Sequence, residues 1–317
     1  MKRLIPVLLV AASMQAQSIV ATSKGIVVAT GGAIELRGGW RVEGVRNPSF
    51  AVAGRDEVAV IDSLANEAVI VELKTGRATR HKTGETPVDA LFAGDDLYIL
   101  NRDSHTISAK GKEIPVAPGA SIMRESRSKV YVYSPISGTL TDVLSSRVMT
   151  VAPYASDFRV DGNLAWFVFP RTAKLITVDV AAMRVLGERK VGGVPMSIGL
   201  AQQSIALADP SSKRVWILAR EESFGRAFLR GFLRGLTGLG GSSRASSAFP
   251  TGVDRVAARG AVLVAYDSAS GSLYRCDGKS PVRLSQSVAP HAFAIDNSGR
   301  AWWLDAAFAL HHDGGDD

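Results

Sequence analysis

Short apolar runs punctuate the chain at near-regular intervals. They occupy 25–30, 57–62, 96–101, 129–134, 164–170, 204–209, 261–267 and 300–305, and most end on a polar or turn-forming residue such as Asp62, Asn101 or Asp209. Counted from the second position of each run, they fall at 26, 58, 97, 130, 165, 205, 262 and 301; six of the seven spacings lie between 32 and 40, and the seventh is 57. The runs are rich in β-branched and aromatic residues and too short for helices, so they predict strands. Their continuity, in place of strict alternation, predicts that both strand faces are covered.

Each run has companions. A short apolar strand precedes it (49–53, 291–295), a second strand follows (68–73, 174–180, 214–219), and a more polar one comes next (77–81, 147–151). Four strands per repeat, with polarity rising outward, predict an all-β fold: a β-propeller of four-stranded antiparallel blades. Eight runs argue for eight blades. The last unit, from 291, has room for three strands, and 18–22 can supply a fourth and close the ring, leaving the first unit short; if the terminal units instead share one blade, the count is seven.

The strand ends Val60-Ile61-Asp62 and Thr177-Val178-Asp179, with the linkers Gly84-Glu85-Thr86-Pro87 and Gly192-Gly193-Val194-Pro195, are of a known kind. Over 18–317 the chain resembles the YVTN and NHL type of bacterial β-propeller repeat. That resemblance implies blades and no particular activity. The units at Ser134-Pro135 and Phe169-Pro170 lack the turn Asp and are identified by spacing alone.

The anomalous spacing contains an insertion, 222–243. On a helix at about 100° per residue, Arg226, Arg230 and Arg234 fall in one narrow sector, while Phe224, Phe228, Phe232, Leu229, Leu233 and Leu236 occupy most of the opposite half. This predicts a short amphipathic, cationic helix, capped by Ser223 and ended by Gly238-Leu239-Gly240-Gly241. Gly225, Gly231 and Gly235 each lower its stability by about 1 kcal/mol relative to Ala, so it needs its apolar face covered. Three coverings are open: an anionic membrane surface, a groove in a partner protein, and the propeller's own rim or channel mouth. Phe224, Arg226, Phe228, Arg230, Phe232 and Arg234 are the candidate partner- or membrane-binding residues.

At the start of the chain, Lys2 and Arg3, the apolar stretch 4–12 and the small residues up to Ala16 predict a secretory signal peptide over 1–16. Ala12 is an alternative cleavage position, and a buried first strand or helix is the other reading. Nine apolar residues are too few to cross a bilayer, which takes about twenty. The expected organisation is a leader, 1–16, and a single propeller domain, 17–317, exported from a bacterial cell to the periplasm or the extracellular space.

Composition narrows the function classes. The chain is 46% hydrophobic and 21% charged, which excludes a disordered chain. A single Cys excludes a disulfide framework or a multi-Cys zinc site. Net charge is +7, falling to +5 without Lys2 and Arg3 (35 basic against 30 acidic side chains). That excess is too mild for a nucleic-acid surface.

Candidate chemistry is sparse. His311-His312-Asp313 with Asp316 and Asp317 suggests a metal site, but adjacent strand residues point to opposite faces, so a solvated tail is expected and no metal is assigned. His291 opens an inner strand and reads as structural, near the channel mouth. Asp62, Asp103, Asp209, Asp267 and Asp305 recur near strand ends, where Asp bonds its own turn backbone. No Gly-x-Ser-x-Gly elbow, phosphate loop or calcium loop occurs, and no cofactor is implied. Cys276 reads as a packing residue on an outer strand. Trp166, Trp216, Trp302 and Trp303 read as inter-blade packing, and Trp40 as the most exposed aromatic.

The expectation is an exported, non-enzymatic propeller that binds or scaffolds a protein or cell-envelope component. The alternative is a propeller enzyme with its site at the channel mouth, either a metal-dependent lactonase-like hydrolase or a quinoprotein-like dehydrogenase. It rests on fold analogy alone.

Overall fold

Each apolar run is the second strand of a sheet, paired on both sides, in a computed structural model that describes residues 18–201, 204–219, 245–259, 262–276, 280–286, 288, 293–305 and 309–314. Blade 1 comprises Ser18–Thr22, Gly25–Thr30, Gly32–Leu36 and Arg41–Val45; the following blades open at Phe50, Pro87, Ile122, Asp157, Ser197, Arg255 and Phe293. Seven sheets have four strands, and the eighth has three among the described residues: Phe293–Ile295, Ala301–Leu304 and Leu310–His312. Strands pair antiparallel in chain order, so every blade is an up-and-down meander.

Innermost strands of consecutive blades touch all round the ring, including blade 8 against blade 1. The chain is therefore an eight-bladed propeller. The seven-blade arrangement is not formed. Nor does Ser18–Thr22 complete the last blade: it pairs with Gly25–Thr30 in its own sheet. Side chains close the ring instead. Ile19 and Ile26 of blade 1 join Tyr266 and Leu273 of blade 7 and Trp302, Trp303 and Leu304 of blade 8 in one buried cluster. Arg37, in a blade 1 turn, lies 5.2 Å over the Trp302 ring.

Burial explains the sequence pattern. In blade 2 the second strand, Glu57–Asp62, is buried from Val58 onward, whereas the outermost strand, Ala78–Lys82, is exposed throughout. Apolar clusters sit between successive blades, such as Val27, Ile34, Val58 and Val69 between blades 1 and 2, and Tyr133, Phe158 and Phe167 between blades 4 and 5. Burying one such side chain contributes about 1.5–3 kcal/mol, so continuous runs are required wherever a sheet is sandwiched by two others.

Strand alternation sorts the connections onto two faces. Linkers between blades and turns joining second to third strands share one face, here the linker face. Connection 220–244 leaves the third strand of blade 6, Arg214–Ala219, and returns at the fourth, Ala245–Ala248, so its two ends lie on the opposite face.

Several local expectations are corrected. Trp40 is half-buried, donating from Nε1 to the Leu73 carbonyl of blade 2 at 2.9 Å. Cys276 ends the third strand of blade 7, not the outermost, while its burial in the core agrees with the packing role expected of it. His311 and His312 belong to the third strand of blade 8 and are no solvated tail: His311 stacks against Trp303, and His312 packs at a tilt of 48° against Trp302. The opposite-face argument for the pair does hold.

Candidate functional site

The wall around the propeller axis is built from innermost strands. Each is hydrogen-bonded on one edge to its own blade, and the other edge needs partners. Side chains of the preceding blade supply them. Ser18 Oγ accepts from Ala51 N at 3.0 Å, Asp89 Oδ2 from Met123 N at 2.8 Å, Asp157 Oδ2 from Ile198 N at 3.1 Å, and Ser197 Oγ from Val256 N at 3.3 Å. Carbonyls are served by arginines: Arg124 Nε donates to Phe158 O and Arg159 Nε to Ile198 O, both at 2.9 Å, and Arg259 Nη1 donates to Ile295 O at 3.2 Å.

Over blades 3 to 6 these stitches merge into a charge ladder. Arg124 Nη1 lies 3.2 Å from Asp89 Oδ2 and Nη2 lies 2.7 Å from Asp157 Oδ1; Arg159 Nη2 lies 3.5 Å from Asp157 Oδ2. The two carboxylates differ. Burial raises Asp89, and Arg124 only partly offsets it. Burial also acts on Asp157, but the charges of Arg159 and Arg124 outweigh it and hold that carboxyl below its ordinary range. Burial lowers Arg124, yet Asp157 and Asp89 together carry it above its ordinary value. Burial and the neighbouring Arg124 lower Arg159. With all four ionised the ladder is neutral and holds inner strands together.

The turn acids are structural as well. Asp62 accepts from Leu64 N and Ala65 N in its own turn and from Asn47 N in the preceding linker. Asp209 makes the same clamp with Ser211, Ser212 and Val194, and adds Trp216 Nε1 at 3.1 Å. Burial raises it, but the bonds from Ser212, Ser211, Val194 and Trp216 prevail and hold it at about 2. This contact also explains Gly193: at φ +66, an added Cβ would overlap the Asp209 carboxylate. In blade 3 the buried turn residue is Asn101, which donates to Ser108 Oγ at 2.8 Å, while Asp103 is exposed and bonds Thr86 and Arg102. Asp305 faces His311 Nε2 at 2.9 Å.

Phe224, Arg226, Phe228, Arg230, Phe232 and Arg234 lie outside the described residues, as do His291 and the leader 1–16. Among the described residues, no three or more His, Cys, Asp or Glu side chains draw together as metal ligands, and no helix is long and apolar enough to cross a membrane. On the opposite face, a cavity of about 370 Å³ between blades 2 and 3 is lined by Ile70, Leu97 and Ile99 with Glu57, Asp95 and Lys112. The ladder was not foreseen from sequence. Its trace in the sequence is a charged residue that recurs about one blade apart on the innermost strands, at 89, 124 and 157.

No family model matches the chain, and no curated protein matches it in sequence. Solved structures do. The chain is similar to BamB from Moraxella catarrhalis, at 11% identity and TM-score 0.65, covering 95% of each chain. It is similar to hydrazine synthase from Kuenenia stuttgartiensis, at 13% identity and TM-score 0.59, covering 90% of this chain and 100% of that one. It is also similar to BBS1N, solved in complex with ARL6DN, at 12% identity and TM-score 0.55, covering 81% and 86%. At these identities the likeness establishes the β-propeller fold.

Proposed function

We propose that the chain is an exported, non-enzymatic β-propeller of the YVTN/NHL-like kind that binds or scaffolds a protein or cell-envelope component. The observation that carries this reading is the state of the wall charges: Asp89, Arg124, Asp157 and Arg159 engage one another and neighbouring backbone. They brace a ring whose loop faces are rigid and available for recognition. BBS1N, a propeller of similar fold, is solved in complex with ARL6DN, which supports the reading. Export rests on the basic start, short apolar core and Ala16 of the leader. In this reading the leader is removed, and Phe224, Arg226, Phe228, Arg230, Phe232 and Arg234 add a cationic, apolar contact with a partner or an anionic membrane surface.

Affinity capture from a cell-envelope fraction, with the full mature chain and with a chain lacking 222–243, tests this. Retention of envelope components that drops on deletion, with an unchanged unfolding midpoint, is expected. Parallel retention on phosphatidylglycerol vesicles separates membrane from partner. Equal retention of both chains in both assays removes the role of 222–243.

A further inference from the structure

On the linker face, the connections around blades 4 to 6 differ in chemistry from their counterparts. They comprise the linkers into blades 4, 5 and 6, 116–121, 151–156 and 191–196, and the turns 135–138, 170–173 and 210–213; the next linker, 249–254, carries Asp254, which accepts from Ser268 N at 3.0 Å. These six segments hold six of the chain's 13 prolines, no Asp or Glu, and only Arg171 and Lys213 as charges. Over blades 2 and 3 the same face carries the exposed carboxylates Glu85 and Asp103.

Large apolar side chains are exposed in this arc: Ile136 at 70%, Tyr154 at 51%, Val194 at 39% and Met196 at 36%. Bonds between their loops make them neighbours. Tyr154 N donates to Pro135 O at 2.7 Å, and Ser156 Oγ donates to Met196 O at 2.8 Å. The Arg171 guanidinium lies 4.6 Å over the Tyr154 ring. The surface is also held from beneath. The buried Tyr133 hydroxyl donates to Ala152 O and accepts from Ala155 N, fixing the linker that presents Tyr154. Ser134 Oγ donates to Pro118 O at 2.7 Å, tying the turn that carries Ile136 to the preceding linker. Prolines and buried anchors remove loop freedom before any contact is made, which favours tight binding. Tyr, Met and Arg are residue types enriched where protein interfaces concentrate their energy.

We propose that this arc docks a segment of a partner protein that is acidic and carries an aliphatic or aromatic side chain. The apolar side chain seats among Ile136, Tyr154 and Met196, and the carboxylates face Arg171 and Lys213. The absence of acid in all six connections makes the surface complementary to such a segment. Two cations on separate blades are too few for an anionic bilayer, whose recognition uses clusters of about 4–8. This inference rests on the binding-module reading and is independent of 222–243, whose connection has its ends on the other face.

The test is fluorescence anisotropy with a short labelled peptide alternating Glu with Leu and Phe, and its counterpart with Lys replacing Glu. The acidic peptide should bind the full mature chain at least about tenfold more tightly than the Lys peptide. Tyr154→Ser, Arg171→Glu and, as a second apolar probe, Ile136→Ser should each weaken it about tenfold or more at an unchanged unfolding midpoint. Leu64→Ser, at an exposed apolar residue of blade 2 on the same face, and the chain lacking 222–243 should bind as wild type. Equal binding of the two peptides, no binding of either, or wild-type affinity in both Tyr154→Ser and Ile136→Ser overturns the proposal. So does loss of phosphatidylglycerol-vesicle retention, without loss of peptide binding, in those variants. Such failures leave the envelope-capture result, and with it the broader binding reading, standing or falling separately.

Discussion

Replacing Asp209 by Asn tests whether the turn carboxylate is the clamp described above. Asp209 is fully buried. Oδ1 accepts from Val194 N at 3.0 Å, Ser211 N at 3.1 Å and Ser211 Oγ at 2.7 Å, and Oδ2 from Ser212 Oγ at 2.6 Å and Trp216 Nε1 at 3.1 Å. An amide keeps one oxygen. Its NH₂ must face either the Trp216 N–H or the N–H groups of Val194 and Ser211, so at least one buried donor loses its acceptor. An orphaned buried donor costs about 1–3 kcal/mol. Loss of charge assistance brings the expected destabilisation at pH 7 to about 2–4 kcal/mol.

Linkage gives an independent value. The folded carboxyl sits at about 2 against an ordinary 3.8, which corresponds to about 2–3 kcal/mol of stability from ionisation. Because the folded value is depressed, that stability is fully present above the ordinary carboxylate range and is lost as pH falls through it towards 2. Between pH 7 and 3 the loss is about 1 kcal/mol. Urea unfolding followed by tryptophan fluorescence, for wild type and D209N at both pH values, measures this. The gap should be about 2–4 kcal/mol at pH 7 and about 1 kcal/mol smaller at pH 3. A gap below about 0.5 kcal/mol at pH 7, the level of an ordinary surface change, or one that does not shrink in acid refutes the clamp.

The charge ladder makes two further predictions, both read from unfolding midpoints. Arg124→Met leaves Asp89 without its ion-pair partner and Asp157 with Arg159 alone, and should cost about 3–5 kcal/mol; adding Asp89→Asn should recover part of that loss. Asp89→Asn should cost about 1 kcal/mol, because burial already disfavours its charge. Asp157→Asn should cost about 3 kcal/mol, because it leaves Arg124 and Arg159 without their shared partner. Equal losses for the two Asp variants would contradict the assigned asymmetry.

The blades were legible because sandwiching is a severe constraint. A second strand covered on both faces cannot carry a polar residue until it reaches the turn, so Val58 to Ile61 and their counterparts announce themselves. The turn acid was legible for a related reason: a buried turn needs an acceptor for its own N–H groups, which Asp62 and Asp209 supply. Asp103 misled because blade 3 fills that position with Asn101, an amide that instead donates to Ser108 and Thr106. Ring closure was ambiguous because Ser18–Thr22 has the pattern of any inner strand. Its register with Gly25–Thr30 is decided by a tight turn through Ser23 and Lys24, in which Thr22 Oγ1 accepts from Lys24 N.

Chemistry that spans blades is hidden in sequence for a different reason. Arg124 means little in Ile122–Ser126 alone; it gains two carboxylates only when blades 3 and 5 flank it. The acid-free arc follows the same logic. Each of its six connections is an ordinary Pro-containing turn or linker, and each alone is unremarked. They become one surface because strand alternation sends second-to-third-strand turns and blade linkers to the same face, and the ring then places blades 4, 5 and 6 side by side. Sorting any such repeat chain by connection type before sorting it by residue type therefore brings an interaction surface into view, since connections of one type share a face while neighbours in sequence do not.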